Sequence, residues 1–190
     1  MTNLKFQEGD ACNLEGVPDD SFDLTLTVFG AMFAPKPFDV AKEMVRVTKP
    51  GGRIIMGNWI PNEPTSFVSQ VLKISSAFTP PPPEGFISPM TWGIESNVVE
   101  RFGQAGIPKE RIKCEQDTFT FVAPYPPAEY MGLFKNFYGP TMNAFEAAEK
   151  SGKSADLQQE LTELFNRQSK AASPDSTTIT ATYLRVTVNC

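Results

Sequence analysis

No histidine occurs among the 190 residues. Ser-His-Asp and Cys-His nucleophilic catalysis, imidazole acid–base work and His-ligated metal sites are therefore excluded. The cysteines, Cys12, Cys114 and Cys190, are scattered and lack CxxC spacing. Such a set suits reduced thiols packed as small hydrophobes better than a disulfide framework or a zinc site, and no metal is expected. Chemistry here must come from a cofactor, from carboxylates or tyrosines, or from positioning. Asp10 is the carboxylate to consider. It follows Leu4 to Glu8 (LKFQE), which reads as a short alternating strand, and the carboxyl end of a parallel strand is where such sheets bind ligands. A plain strand-to-loop cap is the alternative for Asp10.

The elements that must position such groups lie between Ser21 and Trp59. Phe22 to Val28 is an apolar, β-branched run with the composition of a strand buried on both faces of a parallel sheet. Pro35 and Pro37 break the chain. Apolar residues then fall at Phe38, Ala41, Met44, Val45 and Thr48, a 3.6-residue rhythm that predicts a helix with one face on a sheet. Pro50, Gly51 and Gly52 stop that helix, and Arg53 to Trp59 is a second strand. Strand, crossover helix and parallel strand make a right-handed βαβ unit.

This unit, with Glu8-Gly9-Asp10-Ala11 and Asp19-Asp20-Ser21-Phe22-Asp23 ahead of it and Arg46-Val47-Thr48-Lys49-Pro50-Gly51-Gly52-Arg53 within it, resembles the S-adenosylmethionine-dependent methyltransferases of Rossmann-like fold. The branch that includes the ubiquinone and menaquinone methyltransferases is the most similar. The resemblance covers Leu4 to Gly106 well and the remainder by general layout. It implies that Asp10 accepts a hydrogen bond from the adenine amino group and that the backbone N–H of Ala11 meets a ring nitrogen. It also implies that Val28, Phe29 and Gly30 form the rim over which S-adenosylmethionine lies, mostly through backbone. Phe29, Met32 and Phe33 are then placed to flank the sulfonium, since thioethers and aromatic rings tolerate a nearby cation. Core packing is the other reading of those three side chains.

Beyond Trp59 the loop Ile60 to Pro64 leads into a short helix carrying Phe67, Val68, Val71, Leu72 and Ile74. Thr79-Pro80-Pro81-Pro82-Pro83 predicts an extended spacer or lid. Gly93 opens a helix with Ile94, Val98, Val99 and Phe102 on one face. Glu115 to Val122 is a strand, and Pro126-Pro127 starts a helix with the aromatic face Tyr130, Phe134, Phe137 and Tyr138. Helices over 142–150 and 154–169 and a last strand, Thr177 to Val188, complete the chain. By resemblance, 60–92 and 124–176 are inserts covering the substrate side of a single domain. Met32, Phe33, Trp59, Trp92, Phe137 and Tyr138 become candidate pocket walls for a small apolar or aromatic acceptor, with helix packing as the alternative.

Composition agrees with a globular protein: 41% hydrophobic, 21% charged, net charge −5. With no basic cluster, nucleic acid is a poor partner. With no 18-residue apolar run and no signal peptide, neither a membrane span nor secretion is expected, and the cytoplasm is the default.

The family's sheet normally opens with a strand, a GxGxG loop, a helix and a second strand ending in an acidic residue. No GxGxG occurs in the 190 residues. The fold class expected is therefore α/β: a methyltransferase-like sheet, mostly parallel with an antiparallel last strand, lacking its first two strands and the Gly-rich loop. Unpaired strand edges follow: either Leu4–Glu8 and Phe22–Val28 pair directly, or a second copy or a partner chain covers the gap, or the fold is marginal. A downstream start, a piece of a longer protein and a degenerate, non-catalytic interaction module all remain open. A NAD-dependent oxidoreductase ranks last, for want of its fingerprint. No catalytic residue is assigned. Without histidine, a carbon, sulfur or already ionised acceptor asks least of this chain.

Overall fold

The computed structural model describes residues 3–61 and 66–190. The 62–65 part of the expected loop lies outside them. Four strands, β1 (Phe22–Val28), β2 (Thr48–Trp59), β3 (Ile112–Ala123) and β4 (Thr177–Asn189), are ordered β1-β2-β4-β3. Six helices accompany them: α1 (Pro37–Val47), α2 (Phe67–Ala77), α3 (Glu95–Gln104), α4 (Pro127–Phe137), α5 (Gly139–Lys150) and α6 (Ser154–Gln168). Strands β1 and β2 are parallel, with Leu24 opposite Arg53 and Val28 opposite Gly57. The end of β4 meets the start of β2: Gly51 N–H donates to Cys190 O at 2.8 Å and Cys190 N–H to Gly52 O at 3.0 Å. These two strands therefore run antiparallel, and the α/β sheet is mixed. None of the described helices is long and apolar enough to cross a membrane.

The chain forms two compact units. The first comprises Met1–Asn58, Phe86–Gln116 and Leu184–Cys190. Its core is the β1–α1–β2 crossover with α3 packed on α1. The buried stripe of α1 is Val40, Ala41, Met44 and Val47, which leaves Phe38 and Val45 half-buried. Strand β2 begins at Thr48, earlier than the glycines suggest. Between the pairs Phe22–Thr48 and Leu24–Arg53 the register shifts, and Lys49 to Gly52 form the irregular stretch. Gly51 there has φ +80°, a conformation few other residues adopt.

The second unit comprises Trp59–Gly85 and Asp117–Tyr183. Helices α2, α4, α5 and α6 pack on one another around edge-to-face rings. Phe67 and Phe165 centroids lie 4.8 Å apart, and Phe134 and Phe165 lie 5.1 Å apart. Phe67 and Phe165 are fully buried, each stabilising the fold by about 2–3 kcal/mol through burial alone. Gly139 and Pro140 end α4 as expected but also open α5, because proline fits the first turn of a helix.

Two expectations fail. Leu4 to Glu8 is not a strand. Alternation alone does not make a strand unless it pairs with a neighbour, and among the described residues no strand lies on the outer side of β1. Leu4 and Phe6 stay in solvent, Phe6 at 95% exposure. Nor is β1 buried on both faces: Phe22, Leu24, Leu26 and Val28, which share one face by their spacing of two, are all exposed, Leu26 by 61%.

Candidate functional site

The carboxyl end of β1 turns sharply. Phe29 adopts φ +57°, a left-handed conformation that costs a bulky residue about 1–2 kcal/mol. Its N–H still donates to Gly57 O at 2.9 Å, closing the strand pair. Gly30 then caps a 3-10 turn, Ala31–Phe33. Ala31 N–H donates to Thr27 Oγ1 at 3.0 Å and Phe33 N–H to Gly30 O at 3.1 Å. Val28 is exposed, Met32 is buried and Phe33 remains open to solvent. The result is a strained rim at the end of a parallel strand, where open α/β sheets bind ligands.

Asp10 does not end a strand. It sits in a turn with a bridge to Asn13, and its Oδ1 accepts Cys12 N–H at 2.8 Å. Asp10 is exposed and Ala11 half-buried. The carboxylate stays at the surface, and the turn holds its orientation.

A 3-10 turn absent from the sequence reading, Pro89–Gly93, packs on Ala31–Phe33 and on α3. This brings the Trp92 segment beside the Met32–Phe33 turn. Ser88 Oγ accepts Met90 N–H at 3.3 Å, Thr91 Oγ1 donates to Ser88 O at 2.7 Å, and Asn97 Nδ2 donates to Thr91 O at 3.1 Å. Trp92 is fully buried, and the Arg101 guanidinium lies over its ring at 4.4 Å. Arg101 is only 4% exposed. Its Nη2 donates to Thr91 Oγ1 at 2.7 Å, while Nε, Nη1 and the Trp92 indole Nε1 have no hydrogen-bond partner among the described residues. Burial pulls the Arg101 pKa down, opposed by the neighbouring charge of Glu100. Burying an uncompensated ion costs several kcal/mol, whereas cation–π contact returns about 2. Sequence reading missed Arg101, although a charged residue three positions after Val98 and beside Phe102, on the apolar stripe of α3, was a usable signal.

The other expected pocket walls lie in the second unit. Trp59 contacts Phe121 at 6.3 Å and Tyr183 at 6.4 Å, and Tyr138 contacts Phe134 at 5.4 Å. Phe137 is 79% exposed. The Tyr138 hydroxyl is buried with no hydrogen-bond partner among the described residues, and burial pushes its pKa up, so it is no base at neutral pH. An open groove of about 540 Å³ lies at the end of α2, between Phe78, Pro80, Asn143 and Lys153. It contains none of the expected site residues.

The residues present suit one end of S-adenosylmethionine. Asp10 offers an exposed, oriented acceptor to an adenine amino group, and the 28–30 rim offers backbone at a strand end. A glycine-rich backbone cradle for the methionyl end is not among the 190 residues, so the cofactor is fitted only in part.

Residues 1–56 match the family model for a methyltransferase domain. An uncharacterized protein of Mycobacterium tuberculosis is 34% identical over 157 residues, covering 80% of this chain and 54% of its own length. A demethylmenaquinone methyltransferase of a Geobacillus species is 40% identical over 55 residues, 29% of this chain and 23% of that one. The chain spans about half the length of the longer-matching curated relatives. A candidate methyltransferase from Bacillus halodurans matches in structure with a TM-score of 0.50 at 16% identity, over 96% of this chain and 69% of its own. That likeness concerns the fold.

Proposed function

We propose that this chain supplies the adenine-side and acceptor-side surfaces of an S-adenosylmethionine-dependent methyltransferase of the ubiquinone and menaquinone type, acting on a small apolar or aromatic acceptor. The observation that carries this reading is the β1–α1–β2 unit with the strained Phe29 rim at the end of β1, nearly all of it in the stretch that matches a methyltransferase domain. When bound, the cofactor supplies an activated methyl group on a sulfonium. The protein's part is alignment and exclusion of water. Asp10 and Ala11 hold the adenine, the backbone of Val28, Phe29 and Gly30 carries the ribose side, and the exposed Phe33, beside the buried Met32 and Trp92, forms an apolar wall. With no histidine in these residues and Tyr138 held protonated, a carbon, sulfur or ionised acceptor fits best.

The methionyl cradle belongs to further polypeptide that adds to the free edge of β1, where an apolar face stands uncovered. The absence of GxGxG from these residues favours a second reading, a non-catalytic interaction module that keeps the fold.

Calorimetric titration of the chain with S-adenosylhomocysteine, beside a thermal melt, tests the proposal. Weak but saturable binding is expected, with a ligand-dependent rise in Tm that Asp10→Ala removes. A cooperative melt with no binding at millimolar ligand would overturn it in favour of the module.

A further inference from the structure

We propose that Arg101 and Trp92 form a carboxylate-binding site covered by the Pro89–Gly93 turn. Three donors, Arg101 Nε, Arg101 Nη1 and the Trp92 indole N–H, are buried on or beside one stacked pair with no acceptor among the described residues. No carboxylate of the described residues forms an ion pair with Arg101. Thr91 Oγ1 takes one N–H of Nη2. The second, with Nε or with Nη1, makes the two-donor fork that fits the two oxygens of a carboxylate. A single guanidinium carries one charge, which matches a monoanionic carboxylate better than a dianionic phosphate. The guanidinium already covers one face of the Trp92 ring, and the exposed Phe33 of the adjoining turn adds an apolar surface for the body attached to the carboxylate.

The cover is slight. Pro89–Gly93 is a five-residue 3-10 turn, tied by the Ser88 and Asn97 side-chain contacts to Met90 and Thr91, and Gly85 with φ +78° precedes it. Thr91 and Trp92 belong to the turn, so loosening it would free Nη2 from Thr91 Oγ1 and open the guanidinium to the incoming carboxylate. It does so beside the Ala31–Phe33 turn, so a carboxylate held there presents the rest of its molecule to the rim of β1. The ligand class is a small aromatic or apolar carboxylic acid.

Benzoate is the probe, titrated by calorimetry at constant ionic strength, with benzamide and inorganic phosphate as comparison arms. Trp59→Phe leaves Trp92 as the sole tryptophan, so its fluorescence reports the same event directly. Benzoate should bind saturably and change Trp92 emission, benzamide should do neither, and Arg101→Met should weaken benzoate about tenfold or more. Should Arg101→Met fail to fold, Arg101→Lys keeps the charge without the fork and should bind several-fold more weakly. Benzoate affinity unchanged in whichever variant folds, a response to phosphate but not to benzoate, or no saturable response at all would each overturn the site. The titration uses no cofactor, so it succeeds or fails independently of methyl transfer.

Discussion

Glu43 and Arg46 sit one turn apart on α1, and the Glu43 carboxylate takes two guanidinium N–H groups, from Nε at 2.8 Å and Nη2 at 2.7 Å. Arg46 reaches further, donating to Leu14 O, Val17 O and Asp19 Oδ1, while Glu43 Oε2 also accepts Leu14 N–H. One helix pair therefore holds the irregular stretch between Asp10 and β1, and with it the turn that orients Asp10. The Arg46 hydrogen bonds hold the Glu43 pKa below its ordinary 4.5. A depressed carboxylate pKa stabilises the fold above the unfolded value, and that contribution is lost as pH falls through the lower folded one. Hydrogen exchange at Leu14, corrected for intrinsic rate, should therefore accelerate below about pH 4.5. Glu43→Gln should accelerate it at pH 7 by about tenfold. Exchange independent of both would show that the loop is held by other contacts.

Gly52 has no room for a side chain. A Cβ there would lie 2.9 Å from Lys49 O and Thr48 Cγ2 and 3.0 Å from Asp23 O, and two of these are backbone atoms that cannot rotate away. Gly52→Ala should lower stability by about 1–3 kcal/mol. Gly103, near the end of α3 with nothing within 4 Å of its added Cβ, is the control, and Gly103→Ala should be neutral or stabilising by about 0.5–1 kcal/mol. Urea midpoints read both. Equal effects would mean that the Gly52 contact relaxes freely.

The βαβ unit was legible because its signals are local: a β-branched run, a helical stripe and a proline–glycine stop. Burial was not. Leu24 and Leu26 have the composition of buried strand residues, yet whether a face is covered depends on what packs there, and a strand's own sequence cannot say. The same reason sinks Leu4 to Glu8 as a strand, since pairing is a property of two segments. The Phe29–Gly30 rim follows from where β1 ends, whereas Asp10 was placed by a strand end that the structure lacks. The Trp92–Arg101 stack could not be named, because it joins a 3-10 turn to a helix through contacts that periodicity does not record. Trp59, Phe137 and Tyr138 read as pocket walls from aromatic content alone, and content does not separate a ring in a core from one in a site.

Burial pushes the Cys114 thiol up to about 11 from an ordinary 9.0, with the nearby Glu95 charge adding to it. Two units leave about one-hundredth of the usual thiolate near neutral pH, and the thiolate is the reacting form. Iodoacetamide at pH 8 should therefore label Cys114 about 100-fold more slowly than a free cysteine. The rate should climb tenfold per pH unit while the protein remains folded. Peptide mass spectrometry follows the three sites separately, and labelling of Cys114 at the free-thiol rate would show that its surroundings open.

The uncovered face of β1 predicts opposite results in two settings. In the 190-residue chain alone, Phe22, Leu24, Leu26 and Val28 offer an apolar stripe along an edge strand paired on one side only among the described residues, an arrangement prone to association. Sedimentation velocity should show concentration-dependent self-association. Leu26→Lys should suppress it while changing stability by no more than about 0.5 kcal/mol, because Leu26 is already in water. When further polypeptide covers that face, the same lysine would be buried without a partner, and Leu26→Lys should then cost about 3 kcal/mol or more. A substitution harmless in the short chain and damaging in a longer one would locate the covering segment on β1. A substitution harmless in both would leave the face to solvent and remove the reason for placing a cofactor cradle beside it.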